Sequence, residues 1–196
     1  MFMTTHKIVA QQTLAQLSRS NYPLDKRCFI WGNMIPDIAP NLIAKPHYLN
    51  ESLNYIVKST LSLCCLPASI LDIPMKRRYV SAQIGIICHF LSDFFTLPHS
   101  QRLKLDSISA TSKHLKYETL LQHKASQGSF SQLNLSEENI SSFVMQLQAQ
   151  YQLREDYMND LRYSVKISSI ISALIVQTIQ ENAPLNSYEK VEAAIL

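Results

Sequence analysis

The chain has 196 residues, 46% of them hydrophobic and 17% charged, with a formal net charge of +3. That length and apolar content support one folded domain with a real core and exclude a disordered chain. The small, scattered positive charge excludes an electrostatic footprint for duplex nucleic acid, and the one basic run, Lys76 to Arg78, reads as a solvated helix end.

The opening MFMTTHKIVA has no basic segment leading into an apolar one, so no secretory signal is expected. The chain is expected in the cytoplasm, or peripherally at a membrane surface. Thr4 or Thr5 is expected to cap a first helix that runs to about Leu17, with Ile8, Val9, Leu14 and Leu17 recurring near the helical period. Residues 29 to 48 hold Gly32, Pro36, Pro40 and Pro46 and read as an irregular, largely apolar loop packed on the rest of the molecule. Next come a helix over about 50 to 65 and a long one over about 75 to 95, ending before Pro98. Further helices are expected over 112 to 125 and after a Ser136 cap, where Ile140, Phe143, Val144 and Leu147 form an apolar stripe. A last helix is expected over 155 to 181.

With only three glycines and no pair of alternating strands around a turn, the chain is expected to be an all-α, single-domain helical bundle. The most apolar long stretch, 165 to 179, contains a lysine and several hydroxyl side chains and is shorter than the roughly 20 residues of a membrane span. It reads as a buried helix, and no transmembrane segment is expected. Cys28, Cys64, Cys65 and Cys88 lack the spacing of a metal or disulfide framework and read as reduced thiols filling core positions.

Polar groups interrupt the apolar pattern in three places. In HFLSDFFTLPH, His89 and Asp93 are four apart and share one helix face, and His99 follows Pro98, where the ended helix allows the chain to turn back. An isolated HxxxD also arises as a hydrogen-bonded core pair, so the other places carry the argument. In HLKYE, His114 and Glu118 repeat the spacing, whereas His123 lies half a turn away from His114. The proline-bound segment adds Asp37 in IPDIAP and His47 in KPHYL, and His6 stands near the start of the chain. Ionisable groups embedded in apolar sequence require partners, and a divalent cation satisfies many ligands at once. Imidazole and carboxylate without thiolate suit zinc, and bridging carboxylates suit clusters of ions. Cys88 points about 100° away from His89 and reads as core.

These motifs resemble the zinc-dependent phospholipase C family, which shares its architecture with the single-strand-specific S1 and P1 nucleases. The order His6, Asp37, His47, His89, Asp93, His99, His114, Glu118 is similar to the ligand order of that family, and HLKYE looks like the phospholipase branch. The resemblance implies an all-α bundle of the phospholipase C/P1 nuclease type and up to about three zinc ions. It implies Asp37, His47, His89 and Asp93 on one ion, His99, His114 and Glu118 on a second, and His6 with Asp93 on a third. The amine and carbonyl of the first residue, Met1, or of Met3 if the chain starts there, complete that third set. It further implies a phosphoester hydrolase, with Asp37 as a ligand and also considered as general base. Ile38 and Ala44 stand where choline-selective members carry aromatic residues, so the cation-binding cage is absent and the head group is open. Lys45 lies close by and offers a charge to an anionic group. A 3′-nucleotidase or single-strand nuclease, with Tyr48, Phe94 or Phe95 as the stacking aromatic, is the alternative enzyme. A protein with structural zinc is the nonenzymatic one.

Overall fold

The computed structural model describes residues 1–96, 140–151 and 157–182. Among them every regular element is helical, in keeping with the all-α bundle of the phospholipase C/P1 nuclease type. The α-helices are α1 (Met3–Leu17), α2 (Lys26–Met34), α3 (Pro40–Ile43), α4 (Leu49–Cys64), α5 (Pro74–Phe94), α6 (Ile140–Tyr151) and α7 (Tyr157–Glu181), with short 3-10 turns at Ser18–Ser20, Ile35–Asp37 and Ala68–Leu71.

Helix α5 is the axle of the fold. From Ile87 onward every residue of α5 is buried, so it is covered all round rather than along one stripe. α2, α4 and α7 pack directly on it, and α1 lies against both α2 and α7. Ile56, Thr60 and Leu63 of α4 recur at helical spacing on its buried side. Ser164, Ser168 and Ser172 of α7 recur every fourth residue, and small side chains let the two backbones approach. The Ser164 hydroxyl donates to the Ser92 carbonyl at 3.2 Å, and Ser172 Oγ lies 3.3 Å from the Cys88 thiol.

The crossing of α2 on α5 is closer still, and two glycines allow it. A Cβ on Gly32 would strike the carbonyl of Ala82, and one on Gly85 would strike the Phe29 carbonyl and the Asn33 amide. Neither glycine has a positive φ, so both are there for space.

The first helix, the two central ones and the last stand close to their expected positions. Residues 29 to 48 do not form the irregular loop expected of them. Asp25 caps α2 by accepting from the Cys28 amide at 2.9 Å, Gly32 lies inside that helix, and Pro36 and Pro40 occupy first turns, where a missing N–H costs nothing. The expected Thr4 or Thr5 cap is also replaced: α1 starts at Met3 with Phe2 as its N-cap, and Thr5 is buried within the helix. No helix among the described residues is long and apolar enough to cross a membrane, including the one containing residues 165 to 179.

Candidate metal centre

Asp93 lies one residue from the end of α5 in the most enclosed part of the molecule, and its two oxygens face different partners. Oδ1 is 2.7 Å from the Met1 amino group and 3.3 Å from His6 Nε2. Oδ2 is 2.6 Å from His47 Nδ1 and 3.4 Å from His89 Nε2. Asp37 Oδ1 closes the group at 3.6 Å from His89 Nε2. His6, His89 and Asp93 are fully buried, whereas the side chains of His47 and Asp37 keep 15% and 25% of their exposure, so the cluster reaches solvent on that side.

Local structure explains each position. His89 and Asp93 share a face of α5 by their spacing. His6 is on the buried face of α1 with Val9, Ala10 and Thr13. The Met1 side chain packs with Val9 of α1 and Leu161 and Val165 of α7, which carries the amino group inward. Asp37 ends the 3-10 turn started by Ile35 and Pro36, and the amides of Ile38 and Ala39 return to the Ile35 carbonyl. Before α4, the Ser52 hydroxyl donates to the Pro46 carbonyl and so ties down the residue preceding His47. The His47 ring rests on Phe90 at 4.7 Å between centroids.

The tautomer of His89 follows from α2. Its Nδ1 is 2.8 Å from the Asn33 carbonyl, which only accepts, so Nδ1 carries the proton and Nε2 turns its lone pair toward Asp93, Asp37 and His47. Burial, with the nearby His6, holds the His89 imidazole well below its ordinary pKa, so a second proton is disfavoured. Burial also pushes the Asp37 carboxyl above the usual carboxylate value. His6 stacks on His89 with centroids 3.7 Å apart, and among the described residues its ring nitrogens make no hydrogen bond of good geometry, nor does Asp37 Oδ2, although His6 Nε2 is within ion-pair distance of Asp93. Lone pairs and carboxylate oxygens converging in a buried space repel one another unless a cation lies between them.

Among the described residues, two sets have ligand atoms close enough to hold one ion: His6, Asp37 and His89, and His47, His89 and Asp93. Imidazole and carboxylate together fit zinc. Cys88 takes no part, since its thiol faces Ser168 and Ser172 on the far side of α5. Thus five of the eight expected ligands, His6, Asp37, His47, His89 and Asp93, come together from α1, the turn after α2, the segment just before α4, and α5. The other three, His99, His114 and Glu118, lie outside the described residues, as does His123. The Lys45 ammonium lies over the Tyr55 ring, 4.3 Å from its centre.

Sequence reasoning missed the Asn33 carbonyl and the Ser52 tether. A main-chain acceptor leaves no mark in residue identity. The nearest available signal was the pair Gly32 and Gly85, two of only three glycines in the chain, of which Gly85 stands inside the expected long helix.

No curated protein and no solved structure matches this chain. A family model described as zinc dependent phospholipase C matches residues 5–158, a span that holds all six histidines and most of the chain. On that match the chain belongs to the zinc-dependent phospholipase C family.

Proposed function

We propose that this chain is a single-domain, zinc-dependent phosphoric ester hydrolase that cuts a phosphodiester of a lipid or small molecule. The observation that carries the reading is the division of Asp93, with Met1 and His6 at one oxygen and His47 and His89 at the other. A carboxylate with separate ligand groups on its two oxygens suits neighbouring ions better than one structural ion.

In this reading His47, His89, Asp93 and Asp37 hold one zinc, and His6 and Asp93, with the Met1 amine, hold another. His99, His114 and Glu118 are assigned to a further ion. Zinc held there would supply Lewis acidity, favouring hydroxide near neutral pH and offsetting charge on phosphate oxygens. The protein's own groups do the rest. The Asn33 carbonyl keeps the His89 lone pair on the site, and Phe90 and Ser52 hold His47 at the solvent edge. Asp37, at that edge with its pKa raised, is a ligand first and a candidate base for the attacking water second. Partial exposure of Asp37 and His47 favours a catalytic site over a closed structural one.

The test is elemental analysis of protein that begins at Met1, followed by turnover of bis(p-nitrophenyl) phosphate, a panel of phospholipids, and single-stranded DNA. More than one zinc per chain, together with phospholipid cleavage that Asp93→Asn abolishes, is the expected result. Cleavage of DNA instead of phospholipid would transfer the assignment to the nuclease branch. Absence of zinc, with Asp93→Asn as stable as the parent, would overturn the hydrolase reading.

A further inference from the structure

The basic run at the start of α5 is a solvated helix end, as the sequence suggests, and the fold gives it basic neighbours. The first turn of α5 holds Lys76 and Arg77 and no acid, and the first turn of α2 holds Lys26 and Arg27 and no acid. Helix N-termini carry partial positive charge, so cations there are in the unfavourable position. These two N-termini also stand side by side. The Asp25 amide donates to the Ser81 hydroxyl at 2.9 Å, and Arg78 Nε lies 3.3 Å from Asp25 Oδ2. Between them lies an open groove of about 510 Å³, lined by Pro23 and Leu24, the cations Lys26, Arg27, Arg77 and Arg78, and a single acid, Asp25. That acid already caps α2, so the groove is strongly electropositive.

Apolar side chains are interleaved with these cations. Met75, Arg78 and Tyr79 fall at i, i+3 and i+4 and share a face of α5. Met75 is 71% exposed and Tyr79 60%, and Ile73 just before the helix is 43% exposed. Soluble polyanions give large exposed apolar side chains nothing to bury in, whereas a bilayer interface takes an aromatic ring and a thioether at headgroup depth beside lysine and arginine.

We propose that the joined first turns of α2 and α5 form a docking surface for an anionic phospholipid bilayer, with the phosphates of acidic lipids at the groove and Met75 and Tyr79 inserted beside them. The surface is distinct from the metal centre. His89 follows Lys76 by thirteen positions in α5, which is roughly 20 Å along the helix. The proposal does not rest on the hydrolase reading.

The test is co-sedimentation of the full, zinc-loaded chain with vesicles of pure phosphatidylcholine and with vesicles in which roughly a third of the lipid is phosphatidylserine. The chain is expected to bind the acidic vesicles and not the neutral ones. Arg27→Gln with Arg78→Gln should weaken binding more than tenfold, at about fivefold per cation. Met75→Ser with Tyr79→Ser should also weaken it several-fold, at unchanged melting temperature and zinc content. Equal sedimentation with both vesicle types, or full binding by the charge variant, would overturn the proposal. Binding that inorganic phosphate or single-stranded DNA abolishes, and that the Met75/Tyr79 variant retains, would overturn the bilayer as occupant and leave a site for soluble anions.

Discussion

The Met1 amino group lies 2.7 Å from Asp93 Oδ1, with no solvent reaching either partner. Without metal Asp93 is therefore balanced by the terminal ammonium, and with zinc bound the same nitrogen, having given up a proton, would be a ligand instead; either role needs a free amino terminus. An added glycine ahead of Met1 turns it into an amide, removing the charge and crowding the space beside Val9, Leu161 and Val165. The extended protein is expected to bind less zinc and to melt at lower temperature, by several degrees, as breaking a buried pair requires. Elemental analysis and calorimetry of the two forms check this.

Replacing Asp93 by Asn leaves the shape and removes the charge shared by both ligand groups. Zinc affinity is expected to fall on the order of 100-fold or more, beyond what loss of an outer hydrogen-bond partner causes. Competition titration with a zinc-binding dye reads this directly, and His6→Ala should give the milder loss expected of a residue facing one oxygen.

Gly85→Ala tests how the site is held. The added methyl meets the Phe29 carbonyl and the Asn33 amide, so α2 must move away from α5 and the Asn33 carbonyl away from His89. Overpacking of this kind costs roughly 1 to 3 kcal/mol, and loss of the orienting bond should weaken zinc binding about 10- to 100-fold. A variant that melts lower yet binds zinc with parental affinity would separate the glycine contact from the site.

Protein stripped of metal by chelation should lose stability toward acid. His89 in the fold stays neutral well below its ordinary value of 6.5, whereas the unfolded chain takes up a proton near that value. The sign follows from linkage: this contribution is complete above about pH 6.5 and declines as pH falls below it, because the unfolded state binds more protons. Urea midpoints at pH 8, 6 and 5 are expected to fall in that order, and restored zinc should raise the midpoint at pH 8 most.

The thiols should divide by surroundings. Burial pushes Cys88 up to about 11, while Cys65 is exposed. Iodoacetamide at pH 8 is expected to label Cys65 first and Cys88 only after denaturation, as peptide mass mapping would record.

Much of the buried His and Asp cluster was legible because its strongest signals are periodic. His89 and Asp93 sit at helical spacing inside an apolar helix, and α1, α4 and α5 declare themselves by apolar recurrence and by their flanks. Residues 29 to 48 misled because glycine and proline have two meanings. Gly32 is a contact residue inside a helix, and Pro36 and Pro40 begin turns of helix rather than break them. Asp37 and His47 were found as residue types, but what holds them, a 3-10 turn and a serine tether, depends on main-chain atoms. The cations of α5 were visible as a run, while their neighbours Lys26 and Arg27 join them only through the crossing of α2 on α5.

That crossing also limits how the sequence is free to drift. Where two side chains collide, a smaller neighbour restores the fit, but Gly32 and Gly85 each face main-chain atoms, which no codon change makes smaller. Compensating substitutions are closed off at both positions. A mutational scan should find α2 and α5 intolerant along this seam even at residues that never approach an ion, and efforts to harden the protein would do better to begin elsewhere.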